Sequence, residues 1–346
     1  MATVTFVSGL AVGAISEPLS SFIPNRDIVM AASRRVAVIG VVVAPMILIL
    51  SLVFKSPEIA AAGILAPLIA LFNHYQYSAI ALRGGIAPIL LELPRTLVAI
   101  LAVISSVILP LNAAVYFIAW IGAISLTSLA VLIHSRVRKS DTALPEFSST
   151  PFTLEFLLGT GSVQLMTFLI GGFAGTEVNG AIRGGGTVYG PISLLVSAVQ
   201  MLFIPFLASS GSARYAHAIR LSVLGGLAAG AGVLLLLAVP DELGVVLLGE
   251  TWAVARPLLP MMGVDVIAAT AYGPLVAGLK SVRDGTRLLR TRAILSPVRV
   301  VAVVVCAIHW GAFGAVTALA AAAVLSLLLW NFELRNSLKN LEETTL

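Results

Sequence analysis

Long apolar runs dominate this chain and restrict its fold more than any other feature. Of its 346 residues, 59% are hydrophobic and only 11% are charged, against roughly 25% charged in an ordinary soluble domain, and the mean hydropathy is +1.04. A bilayer core about 30 Å thick needs roughly 20 apolar residues for each spanning helix. The composition therefore excludes a soluble globular protein and predicts an all-α polytopic membrane helix bundle.

Hydropathy predicts about 11 transmembrane helices joined by short polar connections. The predicted spans are residues 3–23, 36–54, 60–82, 94–111, 113–135, 152–173, 184–207, 221–239, 258–279, 293–310 and 312–330. We group them into four parts: an N-terminal lobe of about five spans (1–135), a cytoplasmic linker (136–151), a C-terminal lobe of about six spans (152–331) and a cytoplasmic tail (332–346).

The basic residues predict an orientation in the cytoplasmic membrane. With the amino terminus outside, 17 of the 21 Lys and Arg residues lie on the cytoplasmic side, three lie on the opposite side, and Arg299 lies within a span. This alternation is the positive-inside pattern, so it accounts for the net charge of +5 without a nucleic-acid partner. Because an outside amino terminus is unusual without a preceding span, we expect one upstream span to be absent, unless the first span acts as a reverse signal anchor.

Two stretches repeat one order of features in the same orientation. Each has a span that ends in Ile-Pro, a basic loop, an outward hairpin, a long span and a second basic loop that ends on arginine. That loop runs from Arg83 to Arg95 in the first stretch and from Lys280 to Arg292 in the second. Parallel repeats of this size build the two lobes of several transporter folds around a central site. We therefore expect two lobes related by a parallel pseudo-repeat.

Motifs of soluble catalysis are absent from the sequence. No lysine follows a glycine, so there is no Walker A loop, and no histidine begins the HExxH zinc motif. Cys306 is the single cysteine, which excludes a paired-cysteine metal site. We expect no enzyme, no catalytic residue, no metal site and no cofactor; a membrane-embedded glycosyl-transfer enzyme is the weaker alternative.

Glu17 is an acidic group within the first predicted span. It shares one helix face with Gly9 and Gly13, because steps of four residues stay on one side of a helix. Ionisable groups inside a membrane usually face protein or water and are candidates for function. Glu17 is therefore either a proton or cation site or a carboxylate that snorkels or forms a salt bridge near the inner boundary.

The seventh predicted span carries a stripe of polar side chains along one face. Tyr189, Ser193, Ser197 and Gln200 lie within about 80 degrees of arc, with Arg183 near the outer end. The stripe predicts either the lining of a wet cavity or hydrogen bonds between helices.

Other candidates lie in the third and ninth spans and at the cytoplasmic mouth. Asn73 and Gln76 form a polar patch with Tyr77, and Asp265 is an acid within the ninth span. Arginines at the cytoplasmic mouth either bind diphosphate by charge-assisted hydrogen bonds or only set the topology. These arginines are Arg34, Arg35, Arg83 and Arg95.

Three stretches together resemble a known family. They are Ile182-Arg183 through Gly190-Pro191 to Ile204-Pro205, Leu247 to Trp252, and Gly311 to Ala315. They are similar to the polysaccharide exporters and the O-antigen or lipid-linked oligosaccharide flippases of the multidrug, oligosaccharidyl-lipid and polysaccharide exporter superfamily. The resemblance implies two six-helix lobes that open alternately to either side, with the first five spans here similar to helices two to six.

The resemblance also implies a substrate and partners. The cargo would be a polyprenyl-diphosphate-linked sugar, flipped across the cytoplasmic membrane by a monomer in the lipid bilayer, with other polysaccharide-assembly membrane proteins as partners. Arg183 would contact the cargo, and Glu17 and Asp265 would serve coupling or gating. Transport would be coupled to Na⁺ or H⁺. The alternative is a drug or cation antiporter of the same superfamily, in which Glu17 or Asp265 binds the ion.

Overall fold

The described part of the chain is helical. The computed structural model describes residues 9–21, 26–83, 86–108, 113–135 and 150–344, and these contain helices and short turns but no strand. The predicted all-α class is confirmed. The chain divides into two compact units, unit 1 over Met1–Phe156 and unit 2 over Leu157–Leu346.

Unit 1 is built around a helix pair and a bent helix. Its elements are a π-helical turn (Val12–Ser16) that continues into α1 (Glu17–Ser20), then α2 (Arg26–Phe54), α3 (Pro57–Ile64), α4 (Ala66–Arg83), α5 (Ile86–Ile108), α6 (Ala113–Ser135) and the start of α7 (Thr150–Phe173). Its core joins the first helix, α2, α4 and α6 through buried side chains that include Ile15, Val36, Phe72 and Ile121. α5 begins at Ile86, eight residues before the predicted start of the fourth span, and contains Pro94 in its interior.

The third predicted span is bent. α3 and α4 meet at Leu65 with an angle of 63°, where the sequence predicted one continuous helix. Pro67 is the second residue of α4 and has no N–H to bond back into α3, which accounts for the break. Gly40 of α2 passes over this bend, and a Cβ atom there would lie 2.5 Å from Pro67 Cα. Glycine at position 40 thus lets the two backbones approach.

Unit 2 contains the rest of α7 and seven further helices. These are α8 (Thr176–Val188), α9 (Gly190–Ala208), α10 (Arg214–Leu237), α11 (Asp241–Leu248), α12 (Thr251–Ala255), α13 (Leu259–Ser281) and α14 (Gly285–Thr344). The single span predicted over 184–207 is interrupted at Tyr189, and Pro191 in the first turn of α9 lacks the N–H that would continue the ladder. α14 holds two predicted spans, because its backbone breaks at Trp310 and Gly311, where Gly311 has a φ of 60°.

Six helices in the described residues are long and apolar enough to cross a membrane, or seven if α3 and α4 form one span. The remaining predicted spans fall on residues 9–21, on α5 and on the interrupted α8 and α9 pair. α14 continues through the predicted tail to Thr344, and Leu334 is buried there against Gly278.

Candidate functional site

Five polar side chains from three parts of unit 1 lie in its interior. We call Ser16, Glu17, His74, Tyr77 and Glu155 the unit 1 cluster; they come from the first helix, α4 and α7. Ser16, His74 and Glu155 are almost completely buried, with exposed fractions of 2%, 0% and 3%. Glu17 and Tyr77 are half-buried. Burial of an acid and a histidine in an apolar bundle costs free energy unless their polar atoms have partners. The partners of these groups therefore define the site.

His74 links the first helix to α2. Its Nε2 lies 3.2 Å from the carbonyl oxygen of Val29, and its Nδ1 lies 3.0 Å from the hydroxyl of Ser16. A carbonyl can only accept, so Nε2 carries the proton and Nδ1 accepts from the Ser16 hydroxyl. This arrangement fixes the tautomer and holds Ser16, which directly precedes Glu17 in the chain.

Glu17 lies where a π-helical turn ends and α1 begins. Its carboxylate is hydrogen-bonded to the Tyr77 hydroxyl, and Glu155 lies near enough to Tyr77 for its charge to act on the same phenol. The Glu17 carboxylate therefore has a hydrogen-bond donor from another helix of unit 1. Single π-helical turns often occur at functional sites. Two carboxylates beside one phenol supply the oxygen atoms that a proton or a hard cation binds.

A second layer of polar contacts lies between α4, α5 and α6. Gln76 Nε2 donates to Glu92, whose carboxylate also pairs with Arg95 at 2.5 Å. The Arg95 guanidinium lies 5.3 Å from the ring centroid of Phe72 and 5.5 Å from that of Trp120. Glu92 thus contacts both Gln76 and Arg95, and two aromatic rings lie beside the guanidinium. The roles predicted for Arg95 at a cytoplasmic mouth and for Gln76 in a cavity patch stay predictions.

Unit 2 contains an ion pair between two of its apolar helices. Arg299 Nη2 of α14 lies 3.4 Å from Asp265 Oδ1 of α13, and both side chains are about one quarter exposed. The Nε atom of Arg299 is buried and has no hydrogen-bond partner among the described residues. The sequence identified each as an ionisable residue within a span; their pairing follows from the packing of α13 against α14.

The predicted stripe on α8 and α9 divides into different environments. Tyr189 is 1% exposed in the core of unit 2, and its hydroxyl donates to the carbonyl of Leu259 at 2.8 Å. Ser193 is exposed and returns its hydroxyl to the Tyr189 carbonyl at 3.1 Å. Arg183 is exposed on α8. The side chains of Ser197 and Gln200 lie outside the described part of the structure, so their role stays a prediction.

The remaining candidates are spread over unit 1. Arg34 and Arg35 are exposed on α2, and Asn73 is half-buried with its Nδ2 donating to the Ile69 carbonyl at 3.4 Å. The side chain of Arg83 lies outside the described part. Only Glu17 among the predicted residues belongs to the unit 1 cluster, and its partner Tyr77 was noted only as a neighbour of Asn73 and Gln76.

Sequence reasoning missed two acids: Glu155 of the unit 1 cluster, and Glu92, which contacts Gln76 and Arg95. Glu155 lies in the sixth predicted span and Glu92 lies two residues before the fourth. A count of acids in or beside predicted spans would have included both, because each such group is costly in hydrocarbon.

Trp252, in a stretch whose pattern suits a membrane interface, is buried against Gly244, and its Nε1 donates to Asp241 at 2.9 Å.

Comparison with known proteins gives structural matches only. No family model matches the chain, and no curated protein matches it. The chain is similar to the outward-facing conformation of a multidrug resistance MATE family transporter of the MOP superfamily, with a TM-score of 0.73 and 16% identity over 99% of this chain and 86% of that one.

Two further solved structures match over the same share of the chain. A MOP superfamily transporter from Pyrococcus furiosus gives a TM-score of 0.70 at 14% identity, and a MATE structure in the bent conformation gives 0.70 at 18% identity. Each match covers 99% of this chain and 86% of the other. The chain therefore has the fold of MATE transporters of the MOP superfamily.

Proposed function

We propose that this protein is a multi-pass exporter of the cytoplasmic membrane that works by alternating access as a drug or cation antiporter. Glu17 is its coupling carboxylate, which binds H⁺ or Na⁺. The observation that carries the proposal is the unit 1 cluster, in which the half-buried Glu17 is bonded to Tyr77 next to a π-helical turn. The fold it shares with MATE transporters supports the exporter class.

The cluster suits coupling because it ties three elements of unit 1 together. A cation bound at Glu17 competes with the Tyr77 hydroxyl for the same carboxylate oxygens, so it alters the contact between the first helix and α4. A ligand shifts a conformational equilibrium only by its different affinity for the two states. A cation at Glu17 would bind more tightly to the state in which the Glu17–Tyr77 hydrogen bond is already broken, so its affinity for the two states would differ.

Transport into everted vesicles tests the role of Glu17. Ethidium is the probe, and an imposed H⁺ or Na⁺ gradient drives its uptake. We expect Glu17→Gln to lower gradient-driven uptake by about tenfold or more, the loss of one charge-dependent interaction, at unchanged protein level. The matched control is Glu177→Gln, because Glu177 is exposed on α8. Full gradient dependence in Glu17→Gln would exclude the proposed coupling role.

A lipid-linked oligosaccharide flippase is the second candidate. The observation that favours it is Arg183, an exposed guanidinium on α8 that could contact the diphosphate of a polyprenyl-linked sugar. Proteoliposomes with a fluorescent lipid-linked oligosaccharide and a leaflet-specific quencher measure this activity directly. Flipping that is lost in Arg183→Ala, together with no ethidium transport by the parent protein, would favour the flippase over the antiporter. Chemical change of the labelled lipid would instead indicate a transferase.

A further inference from the structure

Two neighbouring helices contact the first helix of unit 1 just before Glu17. The first helix packs on the start of α7, because a Cβ atom at Gly13 would lie 2.9 Å from Phe156 Cβ. The Ser16 hydroxyl reaches His74 of α4 at 3.0 Å, across 58 residues of sequence. Gly13 and Ser16 both belong to the π-helical turn. Both contacts therefore act on the backbone that directly precedes Glu17.

Ser16 directs its hydroxyl differently from the serines that follow it. Ser20 and Ser21 each donate to a carbonyl three residues earlier in the chain, both at 2.7 Å. Such local bonds are common for a serine inside a helix. Ser16 donates instead to His74 on another helix. Its hydrogen bond is therefore a tertiary contact, and it fixes the π-helical turn relative to α4.

His74 is suited to act as a neutral acceptor and not as a proton carrier. Its ring is completely buried, with Nε2 at 3.2 Å from the Val29 carbonyl and Nδ1 at 3.0 Å from the Ser16 hydroxyl. A relay must pass a proton from one ring nitrogen to a group that takes it up, and a peptide carbonyl is only a hydrogen-bond acceptor. Neither contact carries a charge that would stabilise a buried imidazolium. The ring thus offers Ser16 a lone pair at a fixed place.

We propose that His74 is a positioning residue for the coupling carboxylate, and that its hydrogen bond to Ser16 keeps Glu17 in the conformation that binds the cation. The inference rests on the proposed coupling role of Glu17. If the bond is lost, the turn populates other conformations as well. The apparent affinity for a ligand falls with the fraction of molecules in the competent conformation. Loss of the bond should therefore weaken cation binding and leave the later transport steps unchanged.

Two substitutions at position 74 separate its two hydrogen bonds. Asparagine places an amide oxygen near the position of Nδ1, so His74→Asn keeps an acceptor for Ser16 and loses the bond to Val29. Glutamine places an amide nitrogen near the position of Nε2, so His74→Gln keeps the bond to Val29 and loses the acceptor for Ser16. Ethidium uptake into everted vesicles is measured against the luminal Na⁺ concentration at fixed pH, and against the luminal pH without Na⁺.

The two variants should differ in the cation concentration that gives half-maximal uptake. We expect His74→Gln to raise it about threefold to tenfold, the effect of one hydrogen bond, with unchanged maximal uptake per folded molecule. His74→Asn should stay near the parent value. A merely structural histidine predicts that both variants lose folded protein and keep the parent's half-maximal concentration, and that result overturns the proposal. His309→Gln is the matched control, because His309 is exposed and its Nδ1 lies 2.9 Å from the Val305 carbonyl of its own helix.

Ser16→Ala removes the same hydrogen bond from its other end. It should raise the half-maximal cation concentration as His74→Gln does, and the double variant should show no further increase, because both changes remove one interaction. Additive increases would contradict the proposal. If His74→Gln does not fold, Ser16→Ala decides the question by the same measurement.

The positioning role and the coupling role fail in different ways. If Glu17→Gln keeps full gradient dependence, the coupling role is excluded and the positioning role is excluded with it. If Glu17→Gln loses gradient dependence while His74→Gln and Ser16→Ala keep the parent's half-maximal concentration, only the positioning role is overturned.

Discussion

The guanidinium of Arg292 lies 5.3 Å from the ring centroid of Trp330. In unit 1 the guanidinium of Arg95 lies 5.5 Å from Trp120. In both units the arginine is on one helical segment and the tryptophan is on the next, and Arg95 and Arg292 are the residues that the internal repeat predicted as equivalent. The recurrence of one cation–π pair in both units is what a parallel repeat predicts.

The Arg292 and Trp330 contact predicts a graded response at position 330. Trp330 is fully buried, and its Nε1 has no hydrogen-bond partner among the described residues. Trp330→Ala should lower the free energy of unfolding by about 3 to 5 kcal/mol, through cavity formation and loss of the ring under the guanidinium. Trp330→Phe should lower it less, because it keeps a ring and removes the unpaired N–H. The denaturant midpoint of the solubilised protein measures both; equal losses would show that the ring face is unimportant.

The Ser16 and His74 hydrogen bond predicts a loss of stability on removal of one hydroxyl. Ser16→Ala leaves Nδ1 of the fully buried His74 without a donor, which should cost about 1 to 3 kcal/mol. Ser162→Ala is the matched control, because Ser162 only returns its hydroxyl to the Gly159 carbonyl of its own helix. Chemical denaturation followed by tryptophan fluorescence compares the two. The fixed tautomer is contradicted if both variants behave alike.

How far the sequence predicted the structure is clearest at the ionisable residues. The cost of charge in hydrocarbon identified Glu17, Asp265 and Arg299 as unusual, and the structure gives each of them a partner in the protein. The sequence did not predict the partners, because Tyr77 is 60 residues from Glu17 and Arg299 is 34 residues from Asp265. Such pairs depend on which helix faces meet, and hydropathy carries no information about that.

Hydropathy also predicted most helices but not their breaks. Runs of apolar residues gave α6 and α7 nearly to their ends. The bend at Leu65 and the interruption at Tyr189 each precede a proline by two residues. Proline is tolerated in the first turn of a helix, so a proline inside an apolar run can mark the start of a second helix. Pro67 and Pro191 carry that signal, since each lies in the first turn of the helix after the break.

Close contact of the two arms of α14, before and after Gly311, predicts opposite effects of alanine at two glycines. Gly314→Ala places a methyl group against the Cys306 backbone, so it should destabilise unit 2 by about 1 to 3 kcal/mol and increase maleimide labelling of Cys306 as the arms separate. Gly172→Ala meets no atom within 4 Å at an exposed position one residue before the end of α7. It should be neutral or stabilise by up to about 1 kcal/mol, since alanine favours helix more than glycine. Similar effects at both positions would show that the arms are not in contact at Gly314.

The environment of Tyr189 predicts a structural role that can be separated from a cavity role. Its hydroxyl holds the start of α13 through the Leu259 carbonyl, and Val233 packs in the same buried cluster. Tyr189→Phe should therefore lower the free energy of unfolding by about 1 kcal/mol, the contribution of one buried hydrogen bond, and leave transport per folded molecule unchanged. Ser193→Ala is the control for stability, because Ser193 is exposed and its hydroxyl donates to the Tyr189 carbonyl one turn back along the chain. Thermal denaturation and ethidium uptake are measured on the same preparations. If transport falls while stability does not, Tyr189 acts on the cargo as the polar stripe first predicted, since a hydroxyl that faces a substrate path affects transport without supporting the start of α13.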